Sequence, residues 1–322
     1  MCSRSHDYCN QPCEIQMPAK KVDIIVVNWN SGEMTLQAVA PYLGYSSSTV
    51  SCNVIVADNA SADNSLDVLR DHVDNLVINT ENIGFGKACN QVYKTSLADY
   101  ILLLNPDTVS EPAVLEGLVN FLEKNPSYGI AGPAQVDKDG HIMKTCGRFP
   151  TVKTSFFEVT GLSKLFPKIF TPVPIMIDWD HGQSKEVDHV MGSYMLIRKS
   201  VLDKIGFMDE AYFVFMEDMD LSKRFKDAGF KTFYDTSRSI FHEGGGGAGQ
   251  KPDARRLFYS MSSRRLYWKK YFGKFSYSIL LLLSITIEPL LRMVDSLFKQ
   301  KGRQLTVIPK AYSLYIRELM RP

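Results

Sequence analysis

Between residues 21 and 136 the chain repeats one pattern: a short aliphatic run, a polar turn, then a stretch with helical periodicity. The clearest runs are Val22-Asp-Ile-Ile-Val-Val-Asn28, Asn53-Val-Ile-Val-Ala-Asp58 and Tyr100-Ile-Leu-Leu-Leu104. They are too short for helices and rich in β-branched and aliphatic side chains. Strands of this kind need cover on both faces. Further strands are predicted at 76–79 and 129–136, with helices near 33–43, 64–72, 84–96 and 111–124. Repeated βα units predict an α/β fold, a mostly parallel sheet flanked by helices.

The second half is less regular. Residues 137–186 carry several prolines and no sustained period, and read as a long excursion ordered in part by ligand. A strand over 187–198, a helix over 217–228 closed by Gly229, and a strand over 231–235 are predicted beyond it.

Composition narrows the class. A chain of 322 residues that is 45% hydrophobic and 22% charged is neither disordered nor collagenous. Six cysteines with no CxxC pair exclude a disulfide scaffold, and scattered thiols fit a reducing cytoplasm. Cys2, Cys9 and Cys13 sit in a polar leader, residues 1–20, read as flexible and lacking the apolar core of a signal peptide. The net charge of +2 hides a division: residues 251–322 hold 15 Lys and Arg against 4 Asp and Glu, leaving 22 against 31 before them. An acidic body with a basic tail points to a polyanion or an anionic membrane.

The tail holds an uncharged apolar run over 275–287, interrupted by Glu288-Pro289. It is shorter than the about 20 residues a spanning helix needs. Five basic residues and several aromatics precede it, from Arg264 to Lys274. That flank favours a helix lying in the membrane interface over a buried helix covering the core.

Chemistry in an open α/β sheet gathers at the carboxyl ends of its strands. Four polar clusters fall there: Asn28-Trp-Asn30, Asp58 to Asp63, Asn82-Ile-Gly-Phe-Gly-Lys-Ala-Cys-Asn90, and Asn105-Pro-Asp107. Each alone also fits ordinary turn and cap chemistry. Together they allow more. Asp58 can accept the N3–H of a uracil or thymine ring. Asp107 suits a hard divalent cation bridging a pyrophosphate. Gly84 and Gly86 allow close backbone approach at a helix start, which favours negative charge. A dinucleotide fingerprint would need GxGxxG straight after the first strand, where residues 28–32 read Asn-Trp-Asn-Ser-Gly.

Downstream, Glu217, Asp218 and Asp220 open a helix behind an apolar, aromatic segment. They are either ordinary dipole complements or a partly desolvated base for a sugar hydroxyl. Asp220 is spaced to pair with Lys223 or Arg224. His242, before a glycine-rich loop at 244–247, is a candidate metal or phosphate ligand or a surface histidine.

In this order the motifs resemble family 2 glycosyltransferases. The donor half is carried by Val26-Val-Asn-Trp-Asn30, Asp58-Asn-Ala-Ser61, Asn82 to Asn90 and Leu103-Leu-Asn-Pro-Asp-Thr108. Gly192 to Arg198, Gly206-Phe-Met-Asp-Glu210, Glu217-Asp-Met-Asp-Leu221 and His242-Glu-Gly-Gly resemble the acceptor half of the rhamnosyltransferase-like branch. The resemblance implies a GT-A fold over 21–250, with a nucleotide-sugar half (21–136) and an acceptor half (137–250), followed by a basic helical tail (251–322). It implies inverting transfer with a divalent metal, Mg²⁺ or Mn²⁺. Asp58 would then hold the base, with Asn28, Asn30, Asn82, Gly84, Phe85, Asn90 and Asn105 around the nucleotide sugar. Asp107 would bind the metal, with His242 beside it. Asp218 would be the general base, with Glu217 its neighbour, and Arg264 or Arg265 would neutralise the leaving diphosphate. The family's metal motif is Asp-x-Asp; here Asn105 takes its first place. The Gln-x-x-Arg-Trp motif of processive synthases is absent. The expected donor is a dTDP- or UDP-sugar, dTDP-L-rhamnose first, and the acceptor a lipid-linked or surface polysaccharide such as an O-antigen. A nucleotidyltransferase would need a glycine-rich basic loop at 28–32. An inactive carbohydrate-binding module would have lost Asp107 and Asp218. The tail then reads as docking a cytoplasmic enzyme on the inner face of the cell membrane, not on nucleic acid.

Overall fold

The computed structural model describes residues 18–170, 174–244, 253–298 and 302–320. The expectations for the leader's cysteines and for residues 245–247 lie outside the described residues. The first half alternates as the pattern predicts: β1 (Lys20–Asn28), α1 (Gly32–Val39), β2 (Val50–Asp58), α2 (Ser65–Arg70), β3 (Asn75–Ile78), α3 (Phe85–Tyr93), β4 (Tyr100–Leu104), β5 (Thr108–Val109), α4 (Pro112–Lys124) and β6 (Tyr128–Val136). Then come β7 (Cys146–Gly147), α5 (Val152–Val159), α6 (Leu162–Leu165), β8 (Lys185–Val187), β9 (His189–Val190), β10 (Tyr194–Arg198), α7 (Lys199–Ile205), α8 (Glu217–Asp227) and β11 (Lys231–His242). Three helices follow: α9 (Ala254–Tyr271), α10 (Lys274–Phe298) and α11 (Gly302–Leu319).

One large sheet has the order β3-β2-β1-β4-β10-β6-β11-β5, with β8 also paired to β11. Neighbours among β3, β2, β1 and β4 are parallel, β10 runs against β4 and β6, and β11 again parallels β6. The alternation of side chains along each strand explains the unbroken apolar runs. Ile24 and Val26 pack with Leu102 and Leu104 against α1 and α4. Ile25 packs with Ile101 and Leu103 against α3 and α8. Each such burial stabilises by roughly 1.5–3 kcal/mol.

Chain order reverses between β1 and β4, which opens a crevice at their carboxyl ends. Register brings the polar strand ends together there. Asn28 lies opposite Asp58, and His242 opposite Thr108.

Several expectations are corrected. The single strand over 187–198 is three, and its second break, at residues 191–193, enters the site. The strand over 231–235 continues to His242, past an irregularity between Asp235 and Ser239. The excursion over 137–186 contains β7, α5 and α6, and α5 starts at a capping box made by Thr151 and Thr154. Glu288-Pro289 does not interrupt the tail: α10 runs 25 residues through Pro289. Among the described residues it is the one helix long and apolar enough to cross a membrane by length and composition. Beside Pro289, Glu288 accepts from Arg292 one turn on at 2.7 and 3.0 Å.

Candidate active site

The nucleotide-facing end is built around two buried groups. The Asn28 Nδ2 donates to Asp58 Oδ1 at 2.7 Å and Ser61 Oγ at 3.0 Å, while its Oδ1 accepts from Thr35 Oγ1 at 2.8 Å. Asp58 also accepts from Ser61 N at 3.0 Å and Ser61 Oγ at 2.6 Å. Neither residue has exposed surface. Both side chains are thus turned to protein partners at the strand ends where the sequence placed them on the nucleotide sugar. Parallel register forces the two side by side, and a desolvated carboxylate must find donors within the protein. They shape the 59–63 turn instead. Asn30, at φ +53°, accepts from Ala62 N at 2.7 Å on the same turn. Trp29 was not singled out by sequence, yet its indole is 56% exposed at the end of β1 and can stack on a ring. The available signal was a large aromatic inside a polar turn.

The glycine-rich turn closes on protein as well. Asn82 Oδ1 accepts from Gly84 N at 3.0 Å and Asn59 Nδ2 at 3.2 Å. Gly84 has φ +87°, and a Cβ there would lie 2.5 Å from the Phe213 carbonyl oxygen. That oxygen accepts from Phe85 N at 2.8 Å, and the Phe85 ring packs against the core. Asn90 clamps the backbone of Met208 on both sides, at 2.9 and 3.0 Å, and donates to Glu210. Gly84, Phe85 and Asn90 thus join the two halves of the chain rather than presenting backbone to a ligand.

The third cluster does meet its expected partner. Asn105 N donates to Ser193 O at 2.9 Å, and Asn105 O accepts from Thr108 N at 3.2 Å, which closes the turn. Pairing of β5 with β11 then places His242 Nε2 3.2 Å from Asp107 Oδ1. His242 Nδ1 lies 2.8 Å from Gln135 Oε1, and Gln135 Nε2 donates to Ser193 Oγ at 2.7 Å. A carbonyl oxygen only accepts, so Nδ1 donates to Gln135, and Nε2 is the nitrogen turned toward Asp107. An imidazole nitrogen and a carboxylate oxygen at this separation can pair directly or share a cation. An octahedral ion with bonds of about 2.1 Å sets neighbouring ligands about 3 Å apart, so the pair fits Mg²⁺ or Mn²⁺. Asp137, Asp139 and His141 also lie within ligand distance of one another. There, however, Asp137 Oδ1 already accepts from the backbone of Asp139 and His141, both at 2.9 Å, as in an ordinary turn.

The last cluster enters α8 through Phe215 and Met216, both at positive φ (+70° and +68°). Neither is a residue that favours this region, so the turn is strained. It delivers Asp218, whose side chain is 22% exposed. Asp218 Oδ2 accepts from Gly192 N at 3.0 Å and Oδ1 from Met219 N at 2.8 Å. His189, missed by sequence, has Nε2 3.6 Å from Asp218 Oδ2. Its Nδ1 lies 2.9 Å from Ser222 Oγ, which itself donates to the Asp218 carbonyl. Burial pushes His189 below the ordinary histidine range, so its ring is neutral near pH 7. Glu217 is buried with no partner for Oε2. Burial, then the Asp218 charge, pushes its carboxyl up to about 8. Asp220 faces away and pairs with Arg224 at 2.8 Å, as the spacing predicts.

Asp218 and the Asp107–His242 pair are joined through the Gly192–Ser193 dipeptide. Gly192 N binds Asp218, while Ser193 holds Asn105 and Gln135. A family model described as "Glycosyl transferase family 2" matches residues 23–206. The chain belongs to glycosyl transferase family 2. It is 25% identical over 214 residues to an N-acetylglucosaminyl-diphospho-decaprenol L-rhamnosyltransferase of Mycobacterium tuberculosis, covering 62% of this chain and 69% of that one. Two solved structures share its fold at 13% identity and a TM-score of 0.54. One is a mannosyltransferase from Pyrobaculum calidifontis in complex with GDP-Man and Mn²⁺, matched over 95% of this chain and 88% of that one. The other is GalNAc-T7 with UDP, GalNAc and Mn²⁺, matched over 81% of this chain but only 49% of that one. The glycosyltransferase therefore has the GT-A fold.

Two donor-side expectations fall in the tail of the glycosyltransferase. Arg264 is buried on α9, donating to Glu158 at 2.7 Å and also to Glu288. Arg265 donates to Glu318 of α11 at 3.1 Å. The expectation that either meets the leaving diphosphate is corrected: both guanidinium groups are held by carboxylates of neighbouring helices. Sequence spacing could not show this, because Glu158 and Glu318 are distant along the chain.

Proposed function

We propose that this glycosyltransferase inverts the anomeric centre in a single displacement, with a divalent metal at Asp107 and His242. We take the donor as a dTDP- or UDP-sugar, dTDP-L-rhamnose first, and the acceptor as a lipid-linked glycan at the cytoplasmic face of the membrane. The observation that carries the reading is the Gly192–Ser193 peptide, which couples one partly open carboxylate to one carboxylate–imidazole pair.

Asp218 takes the proton of an acceptor hydroxyl, and the oxygen attacks the anomeric carbon from the side away from the diphosphate. The bond from that carbon to the diphosphate oxygen breaks, and its electron pair leaves with the diphosphate. A bound divalent cation supplies electrostatic stabilisation of that developing charge. Gln135 orients His242, Asn105 shapes the turn that carries Asp107, and Trp29 offers a surface to the nucleobase. The rhamnosyl preference rests on the mycobacterial relative. The membrane placement rests on the basic, apolar tail.

A panel of nucleotide sugars, read by released nucleoside diphosphate and by mass analysis of product, tests the donor. Asp218→Asn is expected to abolish turnover while nucleotide binding by calorimetry persists. Full turnover in that variant overturns the assignment.

A further inference from the structure

We infer that the α5–α6 arm and the outer stripe of α10 form one continuous face that docks on the surface of an anionic bilayer. This deepens the tail-docking part of the proposed function, because it adds to the tail a segment of the acceptor half.

The outer stripe of α10 is unpartnered. Leu282, Leu290 and Leu297 lie seven or eight residues apart on one side, and Leu290 is 64% exposed and Phe298 84%. The arm continues it. A Cβ on Gly161 would sit 3.2 Å from Leu291 Cδ1, and Lys164 Nζ lies 3.9 Å from Asp295. These contacts lay α6 along the second half of α10. At that junction Leu165, Phe166 and Ile169 stand in solvent, and Ile169 is 72% exposed.

Charge selects the occupant. Across residues 151–170 the exposed charged groups include Lys153, Lys168 and Lys164, the last of which faces Asp295 of α10. The one acidic residue in that stretch, Glu158, turns inward to Arg264. Apolar side chains among lysines that can extend to a headgroup are the composition of an interfacial surface, and a deep pocket is not needed. The arm leaves the body at β7, where Gly147 pairs with His189 of β9.

The test is co-sedimentation of the full chain with phosphatidylcholine vesicles, with and without phosphatidylglycerol. Wild type is expected to bind the anionic vesicles and to lose binding in high salt. Leu165→Glu with Ile169→Glu, and separately Leu290→Glu with Leu297→Glu, are each expected to weaken binding about tenfold or more. Hydrolysis of the donor and thermal stability should stay at wild-type level in both. Arm variants that bind like wild type overturn the composite face and leave α10 docking alone. Wild-type protein that ignores both vesicles overturns docking altogether. Variants that convert an oligomer to a monomer in size-exclusion chromatography assign the face to a second copy and also overturn it. Binding is read without sugar nucleotide, so failure of the glycosyl-transfer reading leaves this result intact.

Discussion

His242 Nε2 lies 3.2 Å from Asp107 Oδ1, and the Nδ1 of the same ring is held by Gln135 at 2.8 Å. The ring is thus oriented by a residue that holds its other nitrogen. Asp107→Asn is expected to abolish Mn²⁺ binding measured by electron paramagnetic resonance. Gln135→Leu, which removes the orienting bond together with the bond to Ser193 Oγ, is expected to weaken it about 10–100-fold. Unchanged Mn²⁺ affinity in both variants removes the metal from this pair.

The Asp218–His189 contact bears on pH dependence. His189 is neutral near pH 7 because of burial, with Asp218 and Asp188 the charges that face it. Its free nitrogen, facing Asp218, takes a proton only once the pH falls below the ordinary histidine range. His189→Gln is expected to lower kcat about tenfold or more with KM little changed, and to move the acidic limb of the rate profile to lower pH. A purely structural histidine would leave that limb in place.

Glu217 makes stability pH-dependent. Its folded-state pKa, about 8, lies above the ordinary glutamate value, so between about 4.5 and 8 the folded chain binds more protons than the unfolded one. Stability therefore falls as pH rises through that window, by at most about 1.4 kcal/mol per unit. Thermal melting of wild type and Glu217→Gln across this range checks the sign. The variant should flatten the slope.

Gly192 stands close under the carboxylate: a Cβ would lie 3.0 Å from Asp218 Oδ2, so the side chain of Asp218 would have to give way. Gly192→Ala is expected to push the carboxylate aside and reduce kcat about 10²-fold, with nucleotide affinity and melting temperature near wild type. Steady-state kinetics beside calorimetry separates these.

The tail carries a buried charge cluster. Arg264 pairs with Glu158 and Glu288, and Glu288 pairs again with Arg292. Burial alone would raise Glu288, but the two arginines outweigh it and hold the carboxyl below the usual range. Arg264→Met leaves the buried Glu288 carboxylate with Arg292 as its remaining arginine partner and is expected to cost about 3–5 kcal/mol in urea denaturation. A loss within experimental error would show the cluster to be solvated.

Much of this was legible in the chain itself. Aliphatic runs such as 22–28 and 100–104 have one inexpensive fate, a strand covered on both faces, so the βα order and the helix starts at Pro112 and Glu217 could be read directly. The Asp107–His242 pairing was also foreseen, through the resemblance of two short motifs. Where sequence failed, distance along the chain was the reason. Asn90, Gly84 and Phe85 look like ligand residues beside their own strand, yet their partners are Met208, Glu210 and Phe213. His189 falls inside a run that reads as strand, and only the break at Gly192 turns that segment toward Asp218.

Periodicity and side-chain type by themselves determined which segments are strands, where polar residues end them, and which carboxylates stand at those ends. The tertiary structure decided which of those groups face outward. Register buried Asp58 against Asn28 and left Asp218 partly open. Helix packing drew Arg264 and Arg265 into the tail and laid the α5–α6 arm beside α10. Local pattern reports the cost of burying a residue. Only the assembled chain shows which partner, tens of residues away, offsets that cost.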